Sequence, residues 1–143
     1  MNINLSDYVK KRNGVSMGSR GSLRNNLSRS FGAKNFSTFW TYWNPIFGYY
    51  LGKFIFKPSK RIFPASIALV ITFLVSGLIH DTVTVLLRGK TSFFFTVWFL
   101  LMSFAVLLTK ILKHNWSKQS WLVRALNNFI IIVLCLLLTI WIL

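Results

Sequence analysis

The sequence predicts an all-α membrane protein: three transmembrane helices, preceded by a broken interfacial or re-entrant helix and a basic N-terminal arm. Three observations carry this. Of 143 residues, 54% are hydrophobic and only 13% charged, whereas soluble domains run near 45–50% and about a quarter. Beyond residue 61 the apolar residues gather into three runs, each near the roughly 20 residues that a span needs. The 17 Lys and Arg, against two acids and a net charge of +15, are sorted by side of these runs. Length allows one domain at most.

Residues 1–35 form the arm. They are rich in Ser, Asn, Gly and Arg, with apolar residues scattered singly and no sustained period. This composition predicts a flexible basic cytoplasmic segment, with short surface helices around Ile3–Lys11 and Leu23–Ser30. It lacks the apolar core of a signal peptide. Nor does it hold a recognisable nucleic-acid module, so nucleic acid is a disfavoured partner.

The character changes at Phe36. The run FSTFWTYWNPIFGYYLGKFIF is crowded with aromatics but interrupted at Asn44-Pro45 and by two glycines. Ser37 suits the cap of a short helix to Trp43. Asn44 suits the cap of a second, with Pro45 at its first position, where no backbone donor is needed. Trp and Tyr favour the membrane–water boundary. A broken helix over about 37–56 therefore lies in or dips into the bilayer surface, and Lys57, Pro58, Lys60 and Arg61 end it in water.

The spans are expected at about 62–87, 93–112 and 122–143, making 36–143 the membrane region. The first 61 residues hold 11 cations and the loop Lys110–Arg124 four, against Arg88 and Lys90 alone on the opposite side. The excess of Lys and Arg in cytoplasmic segments then puts the N-terminus in the cytoplasm and the C-terminus outside or in the lumen. Most of the charge is thereby a matter of topology.

Chemistry concentrates in the first span, IFPASIALVITFLVSGLIHDTVTVLL. Thr72, Ser76, His80 and Thr84 recur every four residues and form a polar line along one helical face. His80 and Asp81 lie past its midpoint. Ionisable groups at that depth usually face a bundle interior or a watered cavity. A helix–helix seam reads equally well, since Ser, Thr and Gly77 permit close packing and histidine can bond a neighbouring helix. So does a shorter helix that ends near Ile79 and leaves both at the outer interface. Asn44 reads most simply as a cap. Cys135, the only cysteine, reads as packing and His114 as a solvated loop residue. No metal-ligand spacing, P-loop or nucleophile elbow is present.

Two segments taken together resemble the C-terminal region of the membrane-bound O-acyltransferases, in particular the plant-type wax synthase branch. These are FWTYWN at Phe39–Asn44 and TFLVSGLIHD at Thr72–Asp81. In that branch a Phe-Trp…Trp-Asn element precedes a span ending in Ser-Gly-Leu-x-His-acid. Phe39, Trp40, Trp43 and Asn44 match the first, and Ser76, Gly77, Leu78, His80 and Asp81 the second. Asp81 stands where Glu is more usual, and Thr41-Tyr42 replaces a more basic stretch. The likeness covers roughly residues 36–143.

The resemblance implies acyl transfer from a thioester donor, typically acyl-CoA, to a hydroxyl acceptor, with no bound cofactor. His80 would be the catalytic base, because an alcohol attacks well only once a base accepts its proton. Asn44 would orient the donor or stabilise the oxyanion. Trp40, Trp43, Ser76 and Asp81 would line the substrate site, although Asp81 points about 100° away from His80 on an ideal helix. Lys57, Lys60 and Arg61 would attract the donor's phosphates. Full family members enclose their reaction chamber with many more spans, so the chain is expected either to be a truncated member or to pair with copies of itself or a partner subunit, beside membrane lipid. A different class also fits a small basic chain of three spans: a non-enzymatic subunit, regulator or immunity-type protein.

Overall fold

A computed structural model describes residues 2–143, and every regular element among them is helical. In chain order these are α1 (Leu5–Asn13), α2 (Ser22–Phe31), α3 (Phe36–Tyr42) and α4 (Pro45–Leu51). A π-helical turn (Gly52–Phe56) leads into α5 (Lys57–Lys60), followed by α6 (Ala65–Arg88), α7 (Phe94–Ile111) and α8 (Trp121–Ile142). The last three are long and apolar enough to cross a membrane. At 24, 18 and 22 residues they are about 36, 27 and 33 Å long, against a hydrocarbon core of about 30 Å. The protein is an integral membrane protein.

In each span only 22% of the most apolar stretch is buried by the protein itself. Side chains such as Leu86, Leu108 and Leu137 are exposed. Lipid, not water, covers surfaces of this kind. His80 lies well within α6, which continues two turns past it to Arg88 before Gly89 closes it in the left-handed conformation. The shorter helix ending near Ile79 is not formed.

The chain folds as two compact units. The first comprises Met1–Tyr50 with Thr109–Phe129, the second Leu51–Leu108 with Ile130–Leu143.

In the first unit, the short helices expected near 3–11 and 23–30 are α1 and α2. Asn13 is buried between them, its Nδ2 donating to the carbonyl of Ser22 at 3.0 Å. Asn35, rather than Ser37, caps α3, accepting from the Thr38 N–H at 2.8 Å. Ser37 lies inside the helix, one residue beyond its start. Phe36 and Phe39 are fully buried. The chain breaks at Trp43-Asn44, and Asn44, at φ +41°, opens α4 by accepting from Phe47 N–H at 3.3 Å.

The C-terminal end of α2 carries carbonyls with no partner of their own in the helix. Residues from around the start of α8 satisfy them. Asn128 Nδ2 donates to Phe31 O and Ala33 O at 2.9 and 3.1 Å, and Trp121 Nε1 adds a second donor, at 2.9 Å, to Ser28 O, which already accepts from the Gly32 N–H. Arg124 Nε donates to Gly32 O at 2.7 Å, and the Trp116 N–H to Lys34 O at 2.7 Å. The positive charge of Arg124 also complements the negative end of the α2 dipole. Contacts across more than ninety residues of sequence thus dock the start of the last span onto α2.

In the second unit the helix does not stop at Phe56. It passes through the wide turn Gly52–Phe56, which packs near α6, and runs on to Lys60. The buried positions of α6 are Ala68, Ser76, Gly77 and Asp81, three of them in the segment Ser76–Asp81.

Candidate functional site

The segment Ser76-Gly77-Leu78-Ile79-His80-Asp81 divides its work residue by residue. Gly77 brings α6 against α7: a Cβ there would lie 2.6 Å from Thr96 Cα and 2.8 Å from the Phe95 carbonyl oxygen. No side chain fits without moving backbone. Leu78 and Ile79 are exposed on the lipid side. Ser76 is buried, and its carbonyl oxygen lies 2.7 Å from His80 Nδ1.

That contact sets the histidine's tautomer. A carbonyl oxygen only accepts, so Nδ1 carries the proton of the neutral ring and Nε2 carries the lone pair. The ring is half-buried. It stacks on Phe99, with centroids 5.0 Å apart and planes inclined by 28°, and leans on Phe95 at 5.5 Å. Its orientation is thereby held from two sides, by the backbone of α6 and by aromatic rings of α7.

The rest of the polar line turns inward on its own helix. Thr72 Oγ1 donates to Ala68 O at 2.7 Å and Thr84 Oγ1 to His80 O at 3.1 Å. The close approach of Gly77 and the burial of Ser76 make this face a seam with α7, and the His80 ring contacts the same span.

Asp81 is 2% exposed. Its carboxylate accepts from Phe95 N at 3.2 Å, Thr96 N at 2.8 Å, Thr96 Oγ1 at 2.5 Å and Thr91 Oγ1 at 3.0 Å. Phe95 and Thr96 are in the first turn of α7, where N–H groups have no helical acceptor. A capping side chain normally comes from the residue just before the helix. That residue is Phe93, which has no acceptor and sits at φ +60°, a costly conformation for a bulky side chain. Asp81 supplies the cap from the preceding span instead. Four accepted bonds occupy the usual capacity of a carboxylate, and one of them holds Phe95, whose ring leans on His80.

A cavity of about 720 Å³ adjoins this arrangement, its lining including Asp81, Thr84, Arg88, Lys90, Thr91 and Phe95. Thr84 and Phe95 both touch His80.

Asn44, Trp40 and Trp43 belong to the first unit. Asn44 is exposed at the helix break. Trp43 stacks on Phe39 at 5.5 Å and meets Phe31 edge-on at 6.2 Å. Trp40 meets Phe36 and Phe39 edge-on at 5.9 and 5.1 Å. The Phe-Trp-x-x-Trp-Asn spacing thus builds an aromatic cluster closed by the cap of the next helix. Cys135 is buried in α8. His114 is exposed, its ring 5.9 Å from that of Trp116. No group of three or more His, Cys, Asp or Glu capable of holding a metal occurs among the described residues.

Phe95 and Phe99, which flank the His80 ring, carry no mark in the sequence, because phenylalanines in an apolar run look like ordinary lipid-facing residues. Their spacing of four, which places both on one helical face, is the signal that was available.

One unit thus holds a half-buried histidine in a Ser-Gly-x-x-His-Asp segment, and the other an aromatic Trp-Asn element. Residues 19–141 match the MBOAT, membrane-bound O-acyltransferase family, and the chain belongs to that family. No curated protein and no solved structure matches it.

Proposed function

We propose that the protein transfers an acyl group from acyl-CoA to a hydroxyl acceptor, in the manner of the wax synthase branch, with His80 as general base. The supporting observation is the bond from Nδ1 to the Ser76 carbonyl, which leaves Nε2 as the basic nitrogen. Nε2 takes the acceptor's hydroxyl proton as its oxygen attacks the thioester carbonyl. The tetrahedral intermediate collapses to an ester as the C–S bond breaks, and the leaving sulfur takes the proton from His80, so that CoA departs as the thiol and the imidazole is neutral again. Ser76 positions the base through its carbonyl, and Asp81 does so through α7. Trp40 and Trp43 would bound the acyl chain.

Asn44 is the second residue of the proposal. Its side-chain oxygen caps α4, while its amide N–H groups would donate to the donor's carbonyl oxygen. Lys57, Lys60 and Arg61 lie on the side that carries most of the cations, proposed to be cytoplasmic, where a CoA donor is found. Three spans do not wall off a reaction chamber, so further helices, from the rest of a longer chain, copies of this one or a partner subunit, would complete it.

The test is transfer of label from radioactive acyl-CoA to long-chain alcohols by the protein in native membranes, where any partner is retained. His80→Ala is expected to remove transfer. Transfer at the original rate in His80→Ala sinks the assignment of the base. Asn44→Asp preserves the capping oxygen and the tolerance of positive φ but lacks the amide N–H groups. A large loss of transfer with unchanged thermal stability separates its proposed chemistry from capping. A stable unrelated partner captured by crosslinking, with no transfer to any alcohol, favours the non-enzymatic reading of a subunit or regulator.

A further inference from the structure

The first unit is strongly basic. Residues 1–50 contain seven Lys and Arg and residues 109–129 four, while Asp7 is the sole acid in both. Topology accounts for the excess but not for its arrangement. Three of these cations, Arg29, Lys34 and Arg124, line one cavity of about 440 Å³ together with Thr38 and Trp121.

Arg124 is pre-positioned. Its Nε donates to Gly32 O and its Nη1 to Gln119 O, both at 2.7 Å. Two of its five N–H donors are thereby engaged, and a guanidinium held in one plane keeps little entropy to lose on binding an anion. Arg29 is steadied likewise by a bond from Nη1 to Arg12 O at 3.1 Å. No carboxylate lines the cavity to neutralise them.

An apolar cleft of about 460 Å³ adjoins it, lined by Leu27, Ser28, Phe31 and Trp121. The two share Ser28 and Trp121. Trp121 opens the last span, and its indole is fixed by the bond to Ser28 O. Leu122 and Leu126, on the same helix, are exposed as lipid-facing residues are. The cavity therefore lies where the span enters the headgroup layer, with a charged pocket and an apolar cleft meeting at an interfacial tryptophan.

We propose that this is a binding site for an anionic phospholipid: the phosphate on Arg29, Lys34 and Arg124, the start of an acyl chain along Leu27, Phe31 and Trp121. Charge complementarity selects a headgroup of net negative charge over a zwitterionic one, and the adjoining cleft selects a lipid over free phosphate. Basic pockets beside cytoplasmic span ends are suited to such headgroups. The site shares no residue with the acyl-transfer reading, although its Phe31 meets the ring of Trp43.

The full chain, purified in a nonionic detergent, is titrated with dioctanoyl phosphatidylglycerol, dioctanoyl phosphatidylcholine and inorganic phosphate, and bound ligand is followed by native mass spectrometry. Phosphatidylglycerol is expected to bind at least tenfold more tightly than the other two. Arg124→Gln would also release the Gly32 and Gln119 carbonyls and Arg29→Gln that of Arg12, so Lys34→Gln is the variant of choice. It should weaken phosphatidylglycerol about fivefold, while Lys118→Gln, in the same unit but outside the cavity, should change nothing. Equal binding of the two lipids, or affinity unmoved by Lys34→Gln, overturns the site. Inorganic phosphate binding as tightly as phosphatidylglycerol overturns the lipid and leaves an anion pocket.

Discussion

The two units solve the same problem at opposite helix ends. In the first, the bare carbonyls at the end of α2 are met by Arg124 and Asn128. In the second, the bare N–H groups at the start of α7 are met by Asp81. Each end receives the charge that its dipole favours, a cation at the C-terminus and an anion at the N-terminus. The difference lies in what remains. Four accepted bonds fill the carboxylate of Asp81. Arg124 has given two of five donors and stands beside Arg29 and Lys34 in a cavity with no acid. A saturated cap is a structural part, whereas an unsaturated one next to other cations is also a place for a ligand.

The sharpest way to break this comparison is to remove the saturated cap. Asp81→Ala leaves the N–H groups of Phe95 and Thr96 without an acceptor and loses charge-assisted bonds, at a cost of about 3 kcal/mol or more. A large fall in the thermal midpoint in detergent is expected, with acyl transfer lost as Phe95 and Phe99 release His80. A midpoint within a degree or two of the parent would mean that α7 is held by something else.

A smaller effect is expected at Gly77. Its closest neighbours are the backbone atoms of Thr96 and Phe95, which cannot swing aside, so Gly77→Ala must separate α6 from α7. The expected loss is about 1–3 kcal/mol, the usual range for overpacking, measured by the same unfolding assay.

The smallest effect belongs to the matching glycine of the first unit. A Cβ on Gly32 would meet the Trp121 indole at 2.5 Å and Ser28 O at 2.8 Å. The indole can rotate away, but the Ser28 carbonyl is backbone and the helix end must shift slightly, so Gly32→Ala should cost about 1–2 kcal/mol, one hydrogen bond plus that displacement. Its mark should be a shift in tryptophan fluorescence as Trp121 leaves its place. An effect as large as that at Gly77 would show that the interfacial indole is as fixed as a backbone, and would erase the contrast between the two close approaches.

Much of the candidate site was legible beforehand. Ser76, Gly77, His80 and Asp81 stood out as polar or small residues in an apolar run, and Asn44-Pro45 as a helix start. Their division of labour was not legible. Asp81 looks like a second substrate contact in sequence, because nothing local says that the next helix begins on a phenylalanine unable to cap it. The carbonyl that selects the tautomer of His80 is backbone, and residue type does not mark it.

The sequence by itself determined the number, lengths and apolar character of the spans, and the break at Asn44. These depend on local composition: enough consecutive apolar residues to cross hydrocarbon, and a proline where no donor is needed. The tertiary structure alone decided what Asp81, Gly77 and Arg124 do. Each acts on a helix end or backbone of another element, and partners ten to more than ninety residues apart meet only once the chain has folded.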